Sequence, residues 1–136
     1  MPGSLEGNAC RETLRDSGEF VLRLQTASNP TIPSHVTLGS SLIDGHGGGG
    51  VLITIDPGLV HTIASQAHAD PSAVLGRAMA HEAGHLLIGT PTHSSHGLMR
   101  ALWSQKELRA DSEGDWLFSV DQIQVMQRGL TRDLGN

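Results

Sequence analysis

Aromatic side chains are scarce in this chain, which has two Trp, two Phe and no Tyr in 136 residues. Proteins that bind single-stranded nucleic acid stack the bases on aromatic rings, and this chain has few rings to offer. Basic residues are also few, because only nine Lys and Arg are scattered along the chain and the formal net charge is −5. Without a basic patch, we expect neither nucleic acid nor an anionic membrane as a partner.

Long apolar runs and cysteine pairs are lacking as well. No stretch of about 18 apolar residues predicts a membrane-spanning helix. The first residues, Met1-Pro2-Gly3-Ser4, do not resemble the start of a signal peptide. A single cysteine, Cys10, cannot form an internal disulfide and indicates no cellular compartment. We therefore expect a soluble monomer whose localisation the sequence leaves open.

The chain has enough apolar residues for one hydrophobic core. Its 136 residues, 38% of them apolar, predict a single domain over residues 1–136. Because residues 1–18 are polar and contain glycine, we expect part of this segment to be disordered. β-Branched and apolar composition predicts three strands, at residues 20–25, 35–43 and 51–55. A flexible Gly-rich connection, residues 44–50, separates the last two strands.

The apolar spacing changes after the third strand to the 3.6-residue period of a helix. Two Asp-Pro pairs, Asp56-Pro57 and Asp70-Pro71, each predict a helix start. The aspartate can cap the first turn, and the first helical position tolerates proline. Gly89 predicts the end of the second helix, because helices commonly end at a glycine in the left-handed conformation.

Two further helices are predicted towards the C-terminus. A short one begins at Ser104, and a capping box formed by Ser119 and Gln122 opens the last one. We expect the last helix to bury Ile123, Val125 or Met126, and Leu130. Strands followed by helices predict an α+β domain, with a small, mostly antiparallel or mixed sheet of about three strands, an active-site helix and C-terminal helices.

The most informative segment is His81-Glu82-Ala83-Gly84-His85. Residues four apart on a helix lie one turn apart on the same face, so both imidazoles can reach one metal ion. Glu82 is placed to take a proton from a water molecule rather than to bind the metal. Catalytic Zn²⁺ usually takes three protein ligands and keeps a fourth position open. The motif therefore supplies half of a zinc hydrolase site and needs a third ligand from elsewhere in the chain. A purely structural histidine pair is the weaker alternative.

His93 offers the third ligand. Gly89 allows a sharp turn, since glycine adopts positive φ without steric cost, and four residues are enough for His93 to return to the helix. The succession of His-Glu-x-x-His, Gly, His-Ser and then Gly97-Leu98-Met99 resembles the metzincin clan of zinc peptidases, and is similar to small bacterial metzincin-like proteins. The resemblance covers about residues 51–103. Relative to the clan's HExxHxxGxxH pattern, the glycine lies one residue later and the third histidine two residues later.

The resemblance implies a shortened metzincin-like catalytic domain and a role for each matching residue. Its zinc ligands would be His81, His85 and His93. Glu82 would be the general base and acid, and Met99 would be the methionine of a turn below the metal. Residues 35–43 would form the rim of the cleft and pair with extended substrate. The implied activity is that of a zinc-dependent endopeptidase acting on a peptide or protein. The resemblance is also compatible with secretion.

Three alternatives remain open. Glu107 and Asp111 have the Glu-x-x-x-Asp spacing with which thermolysin-like peptidases supply a carboxylate as third ligand and an aspartate that orients the first histidine. His96 is a nearby substitute for His93. Finally, metzincin catalytic domains usually have more than the 80 residues that precede the motif here. A shortened domain would hold substrate poorly, so the third alternative is a binding module that is stabilised by metal and has no catalytic turnover.

Overall fold

A computed structural model of the protein describes residues 20–26, 38–42, 52–109 and 113–134. These residues form three strands and four α-helices: β1 (Val21–Leu24), β2 (Gly39–Leu42), β3 (Leu52–Ile55), α1 (Pro57–Ala67), α2 (Pro71–Ile88), α3 (Gln105–Arg109) and α4 (Val120–Leu134). A 3-10 turn, Glu113–Trp116, lies between α3 and α4. The α+β class is therefore confirmed. The sequence predictions that lie outside the described residues include the disorder in 1–18, the start of the second strand at 35–37 and the Gly-rich connection at 44–50.

The three strands form one mixed sheet in the order β1-β3-β2. β3 is central, parallel to β1 and antiparallel to β2. Ile53 and Ile55 of β3 point to the same face and are fully buried under the helices. On β2, the residues on that face are Gly39 and Ser41, because they pair with Ile55 and Ile53, respectively. β2 therefore stands at the sheet edge with two small residues towards the helices.

Both Asp-Pro pairs begin helices, as predicted. The Asp56 carboxylate accepts a hydrogen bond from the Leu59 amide at 3.0 Å, and Asp70 accepts one from the Ser72 amide at 3.0 Å. α2 ends at Gly89, which has φ +82° and lies in the left-handed region. None of the helices in the described ranges combines the length and apolarity that crossing a bilayer demands.

α2 is the central helix of the domain. It contacts β2, β3, α1 and α4. The main core cluster joins β3 to α1, α2 and α3, and its members are Ile53, Ile55, Val60, Ala64, Ala67, Val74, Ala78, Leu86 and Leu108. Because both ends of α2 are capped and its flanks are packed, its last two turns are a rigid platform for the residues they carry.

The last helix differs in part from the prediction. Its capping box is confirmed, because the Ser119 amide donates to Gln122 Oε1 at 2.8 Å and the Gln122 amide donates to Ser119 Oγ at 3.2 Å. Of the alternatives Val125 or Met126, the buried residue is Met126, with 7% exposure, while Val125 is 38% exposed. Ile123 is 41% exposed, so its predicted burial is wrong. The apolar residues of α4 therefore extend beyond the part of its surface that packs against α2. The Leu130 side chain lies outside the described part.

Candidate metal centre

His81 and His85 occupy the last two turns of α2, and their rings converge. Nε2 of His81 lies 3.1 Å from Nε2 of His85, and both residues are buried. The ring centroids are 4.8 Å apart with the planes nearly perpendicular. The i, i+4 spacing therefore brings two nitrogen atoms together, as the sequence motif predicts.

The outer nitrogens of the two rings are held by main-chain carbonyls. Nδ1 of His81 lies 2.8 Å from Leu98 O, and Nδ1 of His85 lies 2.9 Å from Thr90 O. Because a carbonyl oxygen only accepts, each Nδ1 carries the proton and donates it. When such a ring is neutral, its Nε2 is an unprotonated acceptor. Two lone pairs 3.1 Å apart repel each other, and a cation between them relieves that repulsion.

His93 approaches the pair from beyond the end of α2. Gly89 turns the chain, and the Ser94 amide donates to Met99 O at 2.9 Å, which closes the following loop. Nε2 of His93 lies 3.2 Å from Nε2 of His85. Its ring is stacked on that of His81, with centroids 5.3 Å apart. The structure therefore brings together the three histidines that the sequence singled out.

The donor geometry fits a small divalent cation. One nitrogen from each of the three histidines lies within 4.8 Å of the others. In tetrahedral coordination with bonds of about 2.0–2.1 Å, two ligand nitrogens are roughly 3.3–3.4 Å apart. The two short separations, 3.1 and 3.2 Å, are close to that value. Among the described residues, no other group of three or more His, Cys, Asp and Glu side chains lies close enough together to hold a metal ion.

The electrostatics of the cluster favour neutral imidazoles. Burial lowers the pKa of His81, and this outweighs the opposite effects of the hydrogen bond to Leu98 O and of nearby Glu82. His93 is exposed, but partial desolvation lowers its pKa too, and the proximity of His85 adds to the shift. Since only the neutral ring can bind a metal ion, both shifts preserve the ligand form below the ordinary histidine pKa.

Glu82 lies beside the histidines and contacts the edge strand. Its side chain is 8% exposed. Ser41 Oγ lies 2.5 Å from Glu82 Oε2 and 2.9 Å from the main-chain oxygen of Glu82. Sequence analysis missed Ser41, because nothing in the local pattern relates it to a glutamate 41 positions later.

Met99 packs beneath the motif helix. It is fully buried, and a Cβ built at Gly84 would lie 2.6 Å from Met99 Sδ and 2.7 Å from Phe118 Cε1. The absence of a side chain at position 84 thus allows Met99 to reach the helix backbone between the two histidines. Trp103 lies on another side, with its ring 5.6 Å from that of His81 in an edge-on arrangement. The metal centre therefore has an apolar floor.

The alternative third ligands are engaged elsewhere. Glu107 accepts a hydrogen bond from the Ser104 amide at 2.7 Å and pairs with Arg100 at 2.9 Å. The Ser104 hydrogen bond is the main reason why the pKa of Glu107 is lowered. His96 is exposed, and its Nδ1 lies 3.0 Å from Ser95 Oγ. Neither belongs to the histidine cluster. Asp111 lies outside the described residues.

Comparison with known proteins identifies no family for this chain. No protein-family model matches it, and no curated protein or solved structure shows significant similarity to it. The features that point to a function are therefore the geometry of the three histidines, Glu82 and the edge strand.

Proposed function

We propose that this protein is a zinc-dependent endopeptidase of the metzincin type. The observation that carries the proposal is the convergence of Nε2 atoms from His81, His85 and His93, while Nδ1 of the first two is occupied by main-chain carbonyls. A set of three neutral imidazoles is a common ligand set for catalytic zinc. Glu82 follows the first of these histidines in the chain, which is the position of the general base in the His-Glu-x-x-His motif.

Each component has a chemical role in peptide hydrolysis. Zinc held by the three histidines would acidify a water molecule and polarise the carbonyl group of the substrate. Glu82 accepts a proton from the water as the water oxygen bonds to the carbonyl carbon. The same carboxyl group then donates that proton to the amine nitrogen as the C–N bond breaks. Met99 and Trp103 keep the inner side of the site apolar, which strengthens the electrostatic interactions within it.

The edge strand supports an extended peptide as the substrate. β2 pairs with β3 along one side, and no other described strand pairs with its second side. Ser41 of the same strand contacts Glu82, so β2 runs past the proposed base. An extended peptide can add to such an edge through main-chain hydrogen bonds, which fix its direction with little dependence on its side chains.

Metal analysis and a Glu82→Ala variant test the proposal together. We expect purified wild-type protein to bind one zinc ion per chain and to cleave an unstructured protein such as casein. Glu82→Ala should retain the zinc and lose the cleavage, because proton transfer requires the carboxylate while metal binding does not. Equal cleavage by the two proteins, or none by either, would refute the peptidase and leave a metal-stabilised binding module.

A further inference from the structure

The contact between Ser41 and Glu82 has a geometry that suits the positioning of a catalytic carboxylate. A serine hydroxyl carries one proton, and an ionised carboxylate only accepts. The 2.5 Å separation between Ser41 Oγ and Glu82 Oε2 is typical of a charge-assisted hydrogen bond. Glu82 Oε1, by contrast, makes no hydrogen bond within the described ranges. One carboxylate oxygen is therefore anchored while the other stays available.

Strand β2 also shapes the space around the stem of this glutamate. A Cβ built at Gly39 would lie 3.1 Å from Glu82 Cγ, 2.8 Å from Thr54 O and 2.5 Å from Ile55 Cδ1. Gly39 and Ser41 lie two positions apart on a strand, so both face α2. The first leaves room for the stem of Glu82 and the second holds its carboxylate. Holding a glutamate side chain in one rotamer costs considerable conformational entropy. Without an anchor, the Glu82 side chain would therefore exchange among several rotamers.

We infer that Ser41 is a positioning residue, which holds Glu82 Oε2 so that Oε1 faces the attacking water. This inference rests on the proposed peptidase activity, because it gives Ser41 a part in the same proton transfer. The role differs from that of a general structural hydroxyl. Holding the base in place affects the rate of the chemical step, and it does not affect substrate binding or zinc binding.

Kinetics of Ser41→Ala form the first part of the test. With zinc-loaded protein and a peptide substrate, we expect kcat to fall roughly 10- to 100-fold, the usual effect of removing a group that orients an active-site residue. KM and zinc stoichiometry should remain at wild-type values. Ser41→Thr keeps the hydroxyl and should restore most of kcat.

Thr54→Val is the matched control. Thr54 lies on the opposite face of the same sheet, and its hydroxyl accepts a hydrogen bond from Arg23 Nη2 at 3.2 Å. The variant removes a hydrogen-bonded hydroxyl from the sheet without touching Glu82. It should therefore leave kcat and KM unchanged.

A double-mutant cycle on thermal stability gives a readout that does not depend on activity. The proteins are wild type, Ser41→Ala, Glu82→Ala and the double variant, all loaded with zinc. If the hydroxyl bonds to the carboxylate, Ser41→Ala lowers Tm more when Glu82 is present than when it is absent. Equal shifts in the two backgrounds would show that the hydroxyl serves only the main-chain oxygen, and the inference would be wrong.

The two proposals fail in different ways. A wild-type protein that cleaves peptides while Ser41→Ala keeps full kcat overturns the positioning role alone. If zinc-loaded wild type cleaves no peptide, the proposed function is overturned and the catalytic role of Ser41 with it.

Discussion

Nε2 of His85 lies 3.2 Å from Nε2 of His93, although the two residues come from opposite sides of the glycine that ends α2. Nδ1 of the same His85 ring is held by the carbonyl of Thr90, the residue that follows the glycine. The turn that brings His93 back to the helix therefore also orients a helical histidine. Metal binding should depend on this short loop as much as on the His-Glu-x-x-His motif.

We expect His93→Ala to weaken zinc binding by more than about 100-fold. Removing a direct ligand should cost more than the 10- to 100-fold lost when a supporting residue of a metal site is changed. Competition with a chromophoric chelator measures the affinity. His96→Ala is the matched control, because it removes an exposed histidine three positions away that lies outside the cluster, and it should bind zinc as wild type does. Unchanged zinc affinity in His93→Ala would contradict the proposed ligand set.

Glu107→Ala should reduce stability and leave zinc binding intact. The carboxylate caps the Ser104 amide and pairs with the buried Arg100, so its loss should lower the free energy of unfolding by about 1–3 kcal/mol. Urea denaturation and zinc stoichiometry, measured on the same samples, check both parts. A variant that stays folded but loses its zinc would revive the thermolysin-like alternative.

The zinc-free protein should become less stable as the pH falls below about 6.5, the ordinary histidine value. In the folded state burial lowers the pKa of His81, and partial desolvation together with the proximity of His85 lowers that of His93. Between the folded and unfolded pKa values the unfolded chain binds more protons, so the free energy of unfolding decreases as the pH falls through that window. The contribution of His81 and His93 to the free energy of unfolding is therefore fully present above about pH 6.5. The zinc-loaded protein should also release its zinc as the pH falls, because protonated imidazole rings cannot bind the ion.

Denaturation of chelator-treated protein between pH 7.5 and pH 5 measures this dependence. A His81→Gln variant is the reference, because it lacks one of the two shifted groups and should show a shallower decrease. A wild-type profile that is no steeper than that of the variant would contradict the assignment.

Gly84→Ala should destabilise the protein by about 1–3 kcal/mol, the usual cost of inserting a methyl group into a packed core. The new Cβ would meet Met99 Sδ at 2.6 Å and Phe118 Cε1 at 2.7 Å. Gly76→Ala, in the same helix, is the control, because its added Cβ would meet no atom within 4 Å apart from its chain neighbours and the nearby backbone of its own helix. That variant should gain about 0.5–1 kcal/mol from the better helix propensity of alanine. Thermal unfolding distinguishes the two, and equal Tm values would refute the close packing of Met99 on the motif helix.

The helices were largely predictable because their signals are short in range. Asp56 and Asp70 cap helices that begin with proline, and Ser119 and Gln122 form the expected reciprocal bonds. Each of these signals lies within four residues of the structure it determines. The exposure of Ile123 was not predictable in the same way, because which side of an amphipathic helix is covered depends on the neighbour it meets.

The sheet was only partly predictable. Composition indicated three strands, but not that β3 would be central or that β1 and β3 would be parallel. On the second strand Ser40 and Leu42 share a face, and in the structure that face is the exposed one. The face turned to α2 carries Gly39 and Ser41 instead, because Glu82 needs the space and the hydrogen bond that these small residues provide.

The amino-acid sequence by itself determined the helical histidine pair, the glutamate between them and the glycine turn that follows, because these depend on helical periodicity and on one residue's freedom at positive φ. Only the tertiary structure decided that His93 completes the cluster, that Met99 lies under Gly84 and that Ser41 meets Glu82. Those contacts join residues that are 8, 15 and 41 positions apart. Proximity over such separations comes from the packing of whole elements, which no local pattern encodes.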